Sequence, residues 1–259
     1  MQREGTLYTI IFTTVLCAIC SVLVSGAAVG LKERQKVNQI LDRQKKVLLV
    51  TGLIGPKEKL SRTEIVDRFK ASVTPKIVTL KTGEYDDGVD VENYEQRKEA
   101  NDPATSEKAP QNPAGIAQLP NHGLVYLLMK DGALDGLVLP IQGKGLWSTL
   151  YGYLALDKDI TTVRGIISYE HGETPGLGGE IENPRWTALW TGRKAFDEKW
   201  APAIKVIKGQ AGPADSDPHR VDGLSGATLT SKGVTNLVQF WLGDNGFGPY
   251  LQKLREQGS

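Results

Sequence analysis

The segment Asp222-Gly223-Leu224-Ser225-Gly226-Ala227-Thr228-Leu229-Thr230-Ser231 brings small residues and hydroxyls to the start of an apolar-periodic run. Glycines at 223 and 226 permit a tight turn with positive φ. Such a turn would set the Thr228 hydroxyl at the N-terminus of a helix expected over 229–242. Free N–H groups and the helix dipole favour a phosphate at that place. On physics alone the same residues also read as a threonine N-cap in a glycine turn. Two other segments combine glycines with polar and apolar side chains, Gly143-Lys144-Gly145-Leu146-Trp147-Ser148 and Glu173-Thr174-Pro175-Gly176-Leu177-Gly178. Leu177, Leu224 and Trp147 suit the walls of an apolar slot, and Glu173, Thr174 and Ser148 its polar contacts. Trp147 reads equally as a core tryptophan, and Glu173 as a solvated loop carboxylate.

Other patterns fail on spacing. Gly143-Lys144-Gly145 lacks the Ser or Thr and the length of a phosphate loop, and 176–181 lacks the third glycine of a dinucleotide fingerprint. No Gly-x-Ser-x-Gly elbow is present. His122, His171 and His219 are too far apart for metal spacing, so neither a catalytic set nor a metal site is expected. With 31 basic and 30 acidic residues, the net charge of +1 argues against nucleic acid as a partner. Two cysteines exclude a zinc module and a disulfide scaffold.

The elements that position these residues begin with an uncharged run over 7–29, preceded by Arg3 and Glu4. As a helix it reaches about 35 Å at about 1.5 Å per residue, enough for about 30 Å of hydrocarbon. It is long for the apolar part of a cleaved signal peptide, so an uncleaved single span is expected. Cys17 and Cys20, three apart in this span, read as small packing residues. Lys32, Arg34, Lys36, Arg43, Lys45 and Lys46 follow the span, and by charge alone they would hold that side in the cytoplasm.

Beyond the span, helical periodicity continues to about Val50, where Gly52 and Gly55-Pro56 end it. Ser61-Arg62-Thr63-Glu64 predicts a capping box, and 73–80 a strand. Residues 83–120, acidic and then rich in proline, predict a long loop with little core of its own. From His122 onward, apolar runs at 124–129, 137–141, 150–156 and 161–169 predict consecutive hairpins. Asn183-Pro184 predicts a helix start, 203–207 a further strand, and 229–242 and 247–254 terminal helices. The expected fold class is α+β: one N-terminal transmembrane helix, then a mostly antiparallel sheet flanked by helices. The expected organisation is an anchor over 1–30, a helical linker, small α/β segment and polar loop over 31–120, and a binding domain over 121–259.

Asp222-Gly223-Leu224-Ser225-Gly226-Ala227-Thr228 resembles the flavinylation motif Asp-x-x-Ser/Thr-Gly-Ala-Thr. In proteins with that motif a flavin transferase attaches FMN to the final threonine through a phosphodiester. Residues 173–178 are similar to a loop of the same FMN-binding domain, and 143–148 to the stretch that lines its flavin. The three motifs in this order, behind an N-terminal span, resemble the C-subunit family of the sodium-translocating NADH:quinone reductases over nearly the whole chain. The resemblance implies covalent FMN on Thr228, with Gly145, Trp147, Ser148, Glu173, Thr174, Leu177, Leu224, Ser225, Gly226 and Ala227 around it. It further implies an inner-membrane subunit with a periplasmic C-terminal domain, assembled with five other subunits. The chain would relay electrons from an iron–sulfur centre to the FMN of the B subunit, within a complex that couples NADH oxidation by ubiquinone to sodium export. Competing readings are the G subunit of the related ferredoxin–NAD electron-transport complex, a non-flavin anchored scaffold, and a free-standing flavin reductase.

Overall fold

The computed structural model describes residues 5–258, so Arg3 and Glu4 lie outside the described part. Contacts divide the chain into two units, Met1–Arg43 and Gln44–Ser259. The first is most of helix α1, Thr6–Val50, whose apolar residues from Leu7 to Val29 are exposed within the chain. Its length and composition suffice to cross a membrane.

The last turns of α1 belong to the second unit, where Val47, Leu48 and Val50 are buried. The Thr51 hydroxyl donates to the carbonyls of Val47 and Leu48 at 3.0 Å each, and Gly52 leaves the helix at φ +73°. Helix α2, Arg62–Ser72, opens on the expected capping box. Glu64 N donates to Ser61 Oγ at 3.3 Å, and Ser61 N to Glu64 Oε2 at 2.8 Å. Its apolar face buries Ile65 and Phe69, and Phe69 packs edge-on to Tyr126 with ring centroids 5.9 Å apart.

The main sheet has five antiparallel strands: β1 (Val73–Thr79), β4 (His122–Lys130), β5 (Ala133–Lys144), β6 (Thr149–Asp157) and β7 (Val163–Glu170), in that spatial order. Asp131 and Gly132, at φ +53° and +81°, make the tight β4–β5 turn, matching the twist of the strands. Central β5 and β6 carry Leu137, Val138, Leu139, Leu154, Ala155 and Leu156 fully out of water. The sheet therefore takes in β1, from the region ahead of residue 121, and the division between units falls at 43/44, not near 30 or 120.

The 83–120 stretch differs from the loop expected. It holds α3 (Gln96–Glu99) and a small antiparallel pair, β2 (Ser106–Lys108) with β3 (Gln118–Pro120), and it buries Tyr94, Ala100, Ala109, Ala114, Ile116 and Leu119. Side chains tie it internally: Asn112 donates to the Ile116 carbonyl at 2.8 Å and accepts from the Ile116 N–H at 3.1 Å. The buried residues follow no helical or strand period, so periodicity gives no sign of them.

After β7 a 3-10 turn at Gly178–Glu182 leads to α4 (Pro184–Thr187), capped by the Asn183 side chain, and a second 3-10 turn at Ala188–Trp190. The strand expected over 203–207 is only β8, Lys205–Val206, paired in parallel with β9, Arg220–Val221. Helices α5 (Thr228–Leu242) and α6 (Gly248–Glu256) close the chain. Trp241 on α5 is fully buried and donates its indole N–H to the Gln142 carbonyl at 2.7 Å, fastening α5 to β5.

Candidate functional site

The N-terminus of α5 is built by a turn that only small residues allow. Gly226 sits at φ +70°, and a side chain there would also come within 2.9 Å of Leu177 Cδ2. Asp222 holds the turn from outside: its carboxylate accepts from Ala211 N at 2.9 Å, and its carbonyl from the Trp186 indole at 2.9 Å. Ala227, not Thr228, occupies the N-cap position, with no side-chain acceptor for the first helical amides. The threonine N-cap reading is thereby set aside. Thr228 is the first helical residue, it is exposed, and among the described residues its hydroxyl has no hydrogen-bond partner.

The neighbouring hydroxyls are engaged. Ser231 Oγ accepts from Leu224 N at 3.1 Å. Thr230, fully buried, donates to Glu173 Oε2 at 2.5 Å. Ser225 and Gly226 are exposed at the turn, whereas Leu224 and Ala227 are part of the core.

Glu173 joins the three loops. Its side chain is 5 % exposed and accepts from the amides of Trp147 at 2.9 Å and of Leu146 and Ser148 at 3.3 Å each, besides the Thr230 hydroxyl. Burial pushes its carboxyl up, but the Thr230 hydroxyl and the amides of Trp147, Ser148 and Leu146 outweigh that and hold it below the usual carboxylate range. Glycine is required where the carboxylate passes: a Cβ on Gly145 would lie 2.6 Å from Oε1, and one on Gly178 2.8 Å from Oε2. The solvated-carboxylate reading of Glu173 is thereby overturned. Ser148 is similarly engaged, its hydroxyl accepting from Gly172 N at 2.6 Å. Thr174 is exposed, and its carbonyl accepts from Leu177 N at 3.1 Å and Gly179 N at 2.9 Å to close the 174–179 turn.

Trp147 is 70 % exposed, which excludes the core-tryptophan reading. Leu177 at 44 % and Leu146 at 41 % are also open to solvent. Leu229, 59 % exposed in the first turn of α5, is a further apolar side chain open to solvent at the head of the helix, although sequence reasoning gives it no role. Its signal is an apolar residue lying off the buried stripe of an otherwise amphipathic helix. Beside the turn lies a cleft of about 690 Å³, walled by Lys205, Lys208 and Lys232 together with Asp222, Leu224 and Thr228. Among the described residues none of these three lysines is in a salt bridge. They come from β8, the segment after it and α5, so no sequence spacing announces them.

A threonine hydroxyl at a helix N-terminus and lysines in the adjoining cleft, all without partners among the described residues, together with exposed Leu177, Leu229 and Trp147, suit a group with a phosphate end and a flat aromatic end. FMN is such a group, and the residues present fit it.

Comparison with known proteins bears on the same residues. The FMN-binding domain family matches residues 145–243. The C subunit of the Na(+)-translocating NADH-quinone reductase of Pseudomonas aeruginosa is 46% identical over 258 residues, covering 98% of each chain. Its Vibrio vulnificus counterpart is 48% identical over 245 residues, 94% of this chain and 93% of its own. Among solved structures, Shewanella oneidensis NqrC superposes with a TM-score of 0.77 at 36% identity, covering 86% of this chain and 99% of that one. The structure of the same reductase's C subunit from Parabacteroides distasonis gives 0.66 at 26% identity, covering 85% and 96%. The FMN-binding match sets aside the non-flavin scaffold, and the full-length relatives are subunits of one complex, not free-standing reductases. The chain belongs to the C-subunit family of the Na(+)-translocating NADH-quinone reductase, an FMN-binding subunit of a multi-subunit oxidoreductase that translocates sodium.

Proposed function

We propose that Thr228 carries FMN through a phosphodiester, and that the chain relays electrons within its complex. The observation that carries this reading is the state of the hydroxyls at the head of α5. Thr228 is exposed and partner-free among the described residues, while Thr230 and Ser231 are buried and engaged. A flavin transferase reaching this turn would meet Thr228 as the available threonine hydroxyl. The bound FMN supplies the one-electron redox chemistry, and the chain supplies position and environment. The free amides of the first turn of α5, with Lys232 one turn further on, compensate the phosphate charge. Leu177, which meets Gly226, and Leu229 offer apolar surface beside the attachment point.

The donor on this reading is an iron–sulfur centre in neighbouring membrane subunits, and the acceptor is the FMN of the B subunit. The assembly has five other subunits. The globular unit stands on the periplasmic side of the inner membrane, with α1 as its single span. The basic residues after the span oppose that orientation, but Lys46 is drawn into the folded unit, donating to the Ser168 carbonyl at 3.5 Å. Spans of the other subunits can override a statistical charge rule.

Intact-mass measurement after co-expression with a flavin transferase tests the attachment. The expected mass exceeds that of the bare chain by FMN less one water, and Thr228→Ala removes the increment. An increment that survives in Thr228→Ala places the flavin elsewhere and ends this reading.

A further inference from the structure

We propose that Glu173 is a positioning residue, which clamps the 145–148 loop to the first turn of α5 and so fixes the surface on which the flavin lies. The inference rests on FMN being carried at Thr228 for its second half only; the clamp itself is a property of the bare chain.

The geometry is that of an anion receptor turned inward. Three consecutive amides, Leu146, Trp147 and Ser148, converge on one carboxylate at 3.3, 2.9 and 3.3 Å. Consecutive amides arranged in this way favour a negative charge, and Glu173 supplies it from the polypeptide. The fourth donor is the Thr230 hydroxyl, on another element and fully buried. One side chain therefore links the end of β5, the loop after β7 and the start of α5. Glycines 145 and 178 flank the carboxylate, so no side chain can insert between the three. The side chains carried by this frame face solvent: Leu146, Trp147 and Leu177 are all exposed. Trp147, 70 % exposed, has little packing of its own, so its placement depends chiefly on the backbone beneath it. A relay needs its redox group at a set place, and a site is held only as firmly as the shell that supports it.

The carboxylate cannot be replaced by an amide without loss. A glutamine offers one acceptor oxygen and one donor nitrogen. The hydroxyl of Thr230 can turn to accept, but an amide N–H cannot. At least one of the three loop amides would then face a donor.

The test uses the full chain in detergent, in two forms. In the form without flavin, hydrogen exchange at residues 146–148 is compared between the parent chain, Glu173→Gln, Thr230→Val and Thr230→Ser. Glu173→Gln and Thr230→Val should speed exchange at 146–148 relative to the strands β5 and β6, and Thr230→Ser, which keeps the hydroxyl, should restore protection. In the flavin-loaded form, covalent attachment is read from fluorescence of the denatured band, and ring mobility from fluorescence anisotropy of the native protein. Attachment should survive in Glu173→Gln and Thr230→Val while anisotropy falls. A merely structural role would speed exchange across the whole unit and leave the anisotropy of the folded fraction unchanged. Unchanged exchange at 146–148 in both variants, or unchanged anisotropy with locally faster exchange, overturns the proposal. Absence of fluorescence from the parent band instead refutes attachment at Thr228 and leaves the exchange arm to decide the clamp.

Discussion

Thr228 and Glu173 do opposite things with the same chemical asset, an oxygen beside a helix start. Thr228 is outside the core and has no partner among the described residues, so it is open to reaction and contributes little to the fold. Because it is not the N-cap, Thr228→Ala is expected to change stability by no more than about 0.5 kcal/mol, less than the cost of losing a cap. Urea unfolding of the flavin-free variant against the parent measures this. Glu173 is buried and shared by four donors, and its value to the fold depends on its charge. Its folded pKa lies below the ordinary value, about 4.3 in an unfolded chain. Its contribution is therefore fully present above the unfolded value and lost as pH falls through the depressed folded one. Stability measured from neutral to strongly acid pH should fall less steeply in Glu173→Gln than in the parent. Parallel curves would show that the carboxylate charge carries none of the clamp.

At the scale of elements, those with strong local patterns are legible in the sequence. The capping box at Ser61 and Glu64 forms both reciprocal bonds at the expected residues. Ser61→Ala removes one of them from an exposed helix end and is expected to cost about 0.5–2 kcal/mol, measurable as a lower urea midpoint at unchanged slope. The four hairpin strands and α5 lie where apolar runs and turn residues place them, because period and turn chemistry are local properties. The 83–120 stretch is not legible. Its β2–β3 pair is three residues a side, and its buried residues are held by side-chain bonds such as Asn112 with Ile116 and Tyr94 with the His122 carbonyl at 2.6 Å. β8 and β9 are legible only in part, since a parallel pair of two residues exists by virtue of the partner strand, not of its own sequence.

For the whole molecule, the proposed orientation puts the 44–258 unit on the periplasmic side of the membrane. A reporter active only in the cytoplasm, fused after Ser259, should therefore be silent. Activity of that fusion would show that Lys32, Arg34, Lys36 and their neighbours govern the orientation after all. The apolar span, the hairpins, the helix starts and the Asp222–Thr228 motif are readable along the chain because each depends on residues a few positions apart. That Thr228 is exposed while Thr230 is buried and engaged, that Trp147 faces water, and that Glu173 binds a loop 26 residues before it to a helix 57 residues after it came only with the fold. The reason is physical: burial and hydrogen-bond partners are set by which distant segments the sheet and α5 bring together, and a residue's type and spacing carry no record of that.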